Sequence, residues 1–215
     1  RRVRGEISEG DLAEIERCAC PYPGTCNMMG TALTMACVTE ALGLALPGAA
    51  TAQALDEEHV TLIREAGRRI VGLADGGPRA SAHLSEGGIT NAIRMALAIG
   101  GSTNLVLHML AVAAEAGVSL RLADFDRLSR ATPLLTKMKP ASPLTVTDFH
   151  RAGGVRAVLS ELSRGGLVEL GAPVAEGGRM EDRLAGSRGA DGDVIKPLVS
   201  PLAAEGGLAV LYGNL

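Results

Sequence analysis

Cys20-Pro-Tyr-Pro-Gly-Thr-Cys26-Asn-Met-Met-Gly30-Thr-Ala-Leu-Thr-Met35 sets two cysteines in a Pro/Gly loop directly before a run of good helix formers. Proline lacks the N–H a helix interior needs, so the loop cannot be helical at its Pro positions. The apolar residues after it predict a helix over 31–42. Gly43-Leu-Ala-Leu-Pro-Gly48 ends that helix with the expected glycine and then proline. A thiol is thereby delivered to a helix entrance. Free backbone N–H groups and the positive end of the helix dipole there favour the thiolate that binds a metal or attacks an electrophile.

Outward from this stretch the chain reads as helix after helix. Ser8-Glu-Gly-Asp11 is a capping signature for a helix over 8–17, with Leu12 and Ile15 at helical spacing. A helix from Asp56 carries the apolar stripe Val60, Ile63, Ile70, Val71 and Leu73, and Asp75-Gly-Gly-Pro78 breaks it. A third, starting at Ser85 or Thr90, ends at Gly100. A fourth, over 105–116, is apolar nearly all round and is expected to be buried. A short helix over 124–129, a strand over 134–138 and a helix capped by Thr147 with a Gly153-Gly154 interruption complete this part. Beyond Gly165 short β-like pieces replace helices: 167–170, 194–195 and 208–211. The fold class expected is α/β, helix-rich in this segment. Residues 1–170 form part of one domain, and residues 171–215 form a linker and the beginning of a β-rich unit.

Composition narrows the function classes. An apolar share of 47% with 21% charged residues is that of a globular chain, and the 215 residues suffice for a sizeable core. With no Trp, two Tyr and two Phe, small side chains must do the packing. A net charge of −3 with interspersed signs argues against nucleic acid as the main partner, because phosphate binding needs clustered Lys and Arg. No apolar run approaches the ~20 uncharged residues of a membrane span, and no signal segment opens the chain, so a cytoplasmic location is expected. Starting on Arg1 and stopping at Leu215, the chain reads as a segment of something longer.

The cysteines at 18, 20, 26 and 37 cluster near the start, which favours metal or redox use over a disulfide framework. Cys26 is the leading candidate, as a ligand of a metal or iron–sulfur centre; a buried inert thiol is the alternative. The C-x-C-x5-C spacing lacks the C-x2-C knuckle of a zinc site, which would also need a fourth ligand such as His59. Cys37, inside an apolar helix, reads as core. Gly100-Gly-Ser-Thr-Asn104 is the second candidate. Its glycines allow close approach, and Ser102, Thr103 and Asn104 offer polar groups at a helix start, either to a ligand or simply as caps. His108, on an apolar helix, reads as a satisfied core residue. His59, His83 and His150 have no chemical neighbour in sequence, and no pair of carboxylates forms an acid/base couple. These residues do not make a complete active site.

Pro23-Gly-Thr-Cys26, Met29-Gly-Thr-Ala32, Thr34-Met35, Glu40-Ala-Leu-Gly43 and Leu46-Pro-Gly48 together resemble the central motif of the dihydroxy-acid, aldonate and phosphogluconate dehydratases. The likeness continues in order through Asn91-Ala92, Gly100-Gly-Ser-Thr-Asn104 with Leu107-His108, and Pro133-Leu134. It runs on through Asp148 with Ala152-Gly-Gly-Val155, Pro197-Leu198, Gly206-Gly-Leu-Ala-Val210 and Gly213-Asn-Leu215. The resemblance implies an iron–sulfur hydro-lyase that turns a 2,3-dihydroxy carboxylic acid into a 2-keto-3-deoxy acid. It implies a 2Fe-2S cluster in preference to 4Fe-4S, Mg²⁺ in the full-length protein, and a homo-oligomer, dimer or tetramer.

By the same resemblance Cys26 is the last of three cluster cysteines. The other two, most Mg²⁺ ligands including a modified Lys, and a catalytic Ser in a C-terminal β domain belong to motifs this sequence does not contain. No catalytic residue is then expected within the segment, which alone would be inactive. Gly24-Thr-Cys26-Asn27 and Met29-Gly-Thr-Ala32 are similar to the sugar-acid branch, whereas Cys20-Pro21 and Ala36-Cys37-Val-Thr-Glu40 resemble the branched-chain pathway enzymes. The expectation is a sugar acid (aldonate) by a slight margin, with the dihydroxy acid of branched-chain amino-acid biosynthesis as the alternative. A truncated relative serving as a binding or assembly module is the alternative from another class.

Overall fold

A computed structural model describes residues 1–19 and 26–213. Its helices are α1 (Glu9–Cys18), α2 (Thr31–Ala41), α3 (Glu57–Ala74), α4 (Ala80–His83), α5 (Glu86–Ala98), α6 (Asn104–Glu115), α7 (Leu122–Arg130), α8 (Val146–Arg151), α9 (Gly154–Arg164) and α10 (Met180–Leu184). The loop over 20–25, and Cys20 with it, lies outside the described residues, as do residues 214–215.

The core is built around α5. Gly88, Ile89, Asn91, Ala92, Ile93, Met95, Ala96, Leu97 and Ala98 of this helix are all buried, and it packs against α2, α6, α7 and α9. Its glycines and alanines let neighbouring helices approach closely, so a core with Phe125 and Phe149 as its largest fully buried side chains still closes. Leu33, Cys37, Val38 and Ala41 face it from α2, and Val155, Val158, Leu159 and Leu162 from α9.

The expected burial of the fourth helix is reversed. Helix α6 is apolar by composition, yet it buries only Leu105, Met109 and Ala113, one residue per turn; Leu107 is 69% exposed and His108 is exposed as well. It has neighbours on one side alone, and composition does not supply the others. Helix α3 buries nothing, and its apolar stripe is largely open.

The capping reading of α1 holds: the Ser8 hydroxyl accepts from the Asp11 N–H, and the Asp11 carboxylate accepts from Ser8. For α8 the cap is Thr145, two residues before the expected Thr147, with Asp148 closing the reciprocal bond. Gly153 and Gly154, at φ +103° and +56°, break the chain between α8 and α9 where a side chain would be strained.

Among the described residues no strand is formed. The expected strand over 134–138 is an extended buried segment with one bridge, Leu134 to Ala203, and the β-like pieces further on are irregular. Buried side chains replace the missing ladder. Asn91 donates to the Glu169 carbonyl (3.0 Å) and accepts from the Glu169 N–H (2.7 Å). Buried Glu161 accepts from the backbone of Ala190 and Leu198. The stretch read as a linker carries α10, whose buried Arg183 donates to the carbonyls of Glu40 (2.6 Å) and Ala45 (2.9 Å) and pairs with Glu176. Glu40, also buried, has its carboxyl pushed up by burial, opposed by the Gly48 and Ala50 N–H groups that it accepts.

Replacing Ile93 by Ala should cost about 2–5 kcal/mol in urea denaturation, since α5 has no free side toward which the cavity could relax. The Thr145 backbone and hydroxyl hold the Asp148 carboxyl below its ordinary 3.8. A lowered folded-state pKa means that this stabilisation is present above pH 3.8 and lost as pH falls below it. The stability gap between the parent and Asp148→Asn is therefore expected to be widest above that pH and to shrink on acidification.

Candidate functional site

Cys26 is an exposed free thiol at the edge of the described chain. The residues after it are fixed at two points. Asn27 Oδ1 accepts from the Val146 N–H (3.0 Å), and the Met29 N–H donates to the Lys139 carbonyl (2.7 Å). This segment therefore runs along residues 139–146 before turning into α2 at Gly30, which offers no side-chain cap. The first N–H groups of α2 are left to other partners.

The Gly100-Gly-Ser-Thr-Asn104 turn meets α2 at this entrance. Buried Thr34 donates its hydroxyl proton to the Gly30 carbonyl (2.8 Å) and accepts from the Ser102 N–H (2.9 Å), binding the two helix starts through one oxygen. Thr31 Oγ1 lies 3.1 Å from Ser102 Oγ and accepts from Asn104 Nδ2 at 2.8 Å. Gly101 permits the approach: a Cβ there would stand 2.9 Å from Thr34 Cγ2. Ser102 and Asn104 thus come together with Thr31, while the exposed Thr103 hydroxyl makes no cap bond.

A family model described as Dihydroxy-acid/6-phosphogluconate dehydratase N-terminal matches residues 1–183. The chain belongs to this dehydratase family. Proteins named dihydroxy-acid dehydratase are similar to it over nearly its whole length: 42% identical over 211 residues in Caldanaerobacter subterraneus subsp. tengcongensis, 44% over 216 in Methanothermobacter thermautotrophicus, and 38% over 212 in Aquifex aeolicus. Each alignment covers 98% or 99% of this chain and 38% of the relative, so the chain spans well under half the length of these proteins. The names of these relatives match the branched-chain alternative and lend no support to the aldonate preference.

In this chain of the dehydratase family the remaining candidates are dispersed. The Cys18 thiol donates to Glu14 (3.3 Å), which together with burial pushes it up. Cys37 is fully buried, and burial first and Glu40 second push its thiol well up, as suits a core residue. Among the described residues no group of three or more His, Cys, Asp or Glu could hold a metal ion. A single exposed thiol ahead of a helix entrance fits one position of a cluster and no more.

The histidines have neighbours that sequence did not reveal. His83 is buried, and its ring donates to the Pro173 carbonyl (3.0 Å); burial holds its pKa down, opposed by that bond. His150 Nε2 is 3.0 Å from Glu58 Oε2, and its Nδ1 is 2.8 Å from the Thr51 hydroxyl. A carboxylate only accepts, so in the neutral ring Nε2 carries the proton and Nδ1 accepts from Thr51. Thr51 is buried, and the arrangement ties the loop before α3 to α8. The clamping roles of Asn27, Thr31 and Thr34 were also missed. For Thr34 the signal available was a hydroxyl residue on the buried face of an apolar helix.

Thr34→Val should cost about 1–3 kcal/mol in urea denaturation, because the Ser102 N–H loses its acceptor. Gly101→Ala should destabilise through the Thr34 contact, and pairing it with Thr34→Ser, which removes the crowding methyl, should recover part of that loss.

Proposed function

We propose that the chain is the cluster-bearing part of a hydro-lyase that dehydrates a branched 2,3-dihydroxy carboxylic acid to the 2-oxo acid. The supporting observation is the exposed Cys26 thiol, followed by Asn27 and Met29, which are held to residues 139–146 ahead of the α2 entrance, in a chain about 40% identical to proteins named dihydroxy-acid dehydratase. The branched acid is preferred to an aldonate because the relatives' names point that way.

In this reading Cys26 holds one iron of an iron–sulfur cluster as thiolate, the remaining ligands coming from outside the described residues. When bound, the cluster, with Mg²⁺, supplies Lewis acidity for the departing 3-hydroxyl and for the carboxylate. The chain's own residues position. The α2 entrance and the Gly101–Asn104 turn present N–H and hydroxyl groups to the polar end of the substrate. Asn104, whose amide donates to Thr31, keeps its Oδ1 as an acceptor for a substrate hydroxyl. The Thr103 hydroxyl is exposed at the same rim. Loss of the C2 proton and the C3 hydroxyl yields an enol that becomes the 2-oxo acid.

Division of the chain at residue 170, with residues 171–215 leading into a β-rich unit, belongs to the same proposal, as does a 2Fe-2S rather than 4Fe-4S cluster. Among the described residues no helix is long and apolar enough to cross a membrane.

In the full-length protein, Cys26→Ser is expected to remove both the visible absorbance of the cluster and the activity. An active Ser variant with unchanged absorbance would refute the assignment. An anaerobic screen should show turnover of branched dihydroxy acids in preference to aldonates; the reverse order would move the substrate to the sugar-acid branch.

A further inference from the structure

Between the end of α8 and the segment over 188–194 the surface opens into a cleft of about 630 Å³. Four charged side chains line it: Asp148 and Arg151 from α8, Arg188 and Asp191 from the other wall. Nearby arginines are engaged, Arg164 with Glu161 and Arg183 with Glu176, but neither Arg151 nor Arg188 has an ion pair among the described residues. Asp148 and Arg151 stand three residues apart on one helix, a spacing at which opposite charges can meet, and still they do not pair.

The acids are committed to the backbone instead. Asp148 Oδ2 accepts from the Thr145 N–H (2.8 Å) and hydroxyl (2.7 Å), and Asp191 Oδ1 accepts from the N–H groups of Asp193 (3.2 Å), Val194 (3.1 Å) and Ile195 (2.8 Å). Each carboxylate keeps its charge and has its second oxygen left over. The wall that carries Arg188 is fixed from behind. The Ala190 N–H donates to buried Glu161 (3.3 Å), and a Cβ at Gly189 would strike Arg164 and Glu161, so the segment lies flat on α9. Opposite charges are thereby held apart around an open space, where pairing with one another would have closed it.

The balance of charge selects the ligand. An anion alone would meet two carboxylates and a cation alone two guanidinium groups, whereas a molecule that carries both signs on neighbouring atoms leaves neither set unpaired. An α-amino acid has that form: a carboxylate for the planar forks of the arginines, an ammonium group for the free aspartate oxygens. The apolar part of the lining is Ala152, Ala190 and Val194, with no aromatic ring, which suits a short aliphatic side chain.

We propose that this cleft binds a free α-amino acid with a short aliphatic side chain, Arg151 and Arg188 holding its carboxylate and Asp148 and Asp191 its ammonium group. The cleft shares no residue with the Cys26 segment or the Ser102–Asn104 turn, and the assignment is independent of the chemistry proposed for them.

Isothermal titration calorimetry on the full-length protein tests it, with L-valine as the probe up to about 10 mM, a range that captures millimolar dissociation constants. L-valine is expected to bind. Isobutyrate, which lacks the ammonium group, and isobutylamine, which lacks the carboxylate, should each bind roughly tenfold more weakly or worse. Arg188→Gln should weaken L-valine and isobutyrate alike. The decisive variant is Asp191→Asn, whose Oδ1 can still accept the three N–H groups, so that circular dichroism stays unchanged. It should weaken L-valine roughly tenfold and leave isobutyrate as it was. No binding of L-valine over the whole range, isobutyrate or inorganic phosphate binding as tightly as L-valine, or an Asp191→Asn protein with unaltered affinity for L-valine would overturn the proposal. Tight phosphate binding would make the cleft a plain anion site.

Discussion

Helix α5 is enclosed on nearly every side, and that enclosure dictates how the rest of the chain is laid down. A surface helix needs one neighbour; a buried one needs a ring of them. Here α2, α6, α7 and α9 supply it. Because Ala92, Ala96 and Ala98 carry little volume, the ring can close tightly, and the near absence of aromatic residues follows from the same geometry. The connecting segments must pass over the ends of α5, which is where the Gly100–Asn104 turn and residues 203–207 are found. Gly207 donates to the Leu97 carbonyl at one such end.

Enclosure creates a second demand. Segments that cover a core without forming strands still carry backbone groups that need partners. The protein meets this with a few buried polar side chains: Asn91 for residue 169, Glu161 for residues 190 and 198, and Arg183 for residues 40 and 45. Each is costly to bury alone and is kept by complete pairing. The irregular segments beyond residue 165 are thereby attached to the helical core through side chains in place of a ladder.

The local signals were legible and the global ones were not. Ser8 and Asp11, the glycines at 153 and 154, and the helix formers after residue 30 act within one turn of themselves, and the elements they specify are present. Burial depends on what lies opposite. Leu107 and Ile70 have the chemistry of core residues and sit in water, whereas Asn91 and Arg183 look like surface residues and are buried. At the candidate site the motif residues could be picked out singly, but Thr34 is linked to Ser102 across 68 positions of chain, and no periodicity encodes such a link. His150 shows the same limit: its partners Thr51 and Glu58 lie more than 90 residues away.

The single oxygen of Thr34 has an implication for inheritance. Since it joins the Gly30 carbonyl to the Ser102 amide, the loop that carries Cys26 and the turn that carries Ser102 to Asn104 are two pieces of one object, although Thr34 and Ser102 lie 68 positions apart in the chain. Grafting either piece from a relative of different substrate class would import half a lock. A working chimera would have to exchange residues 26–34 and 100–104 together, along with residues 139–146, on which the first of them rests.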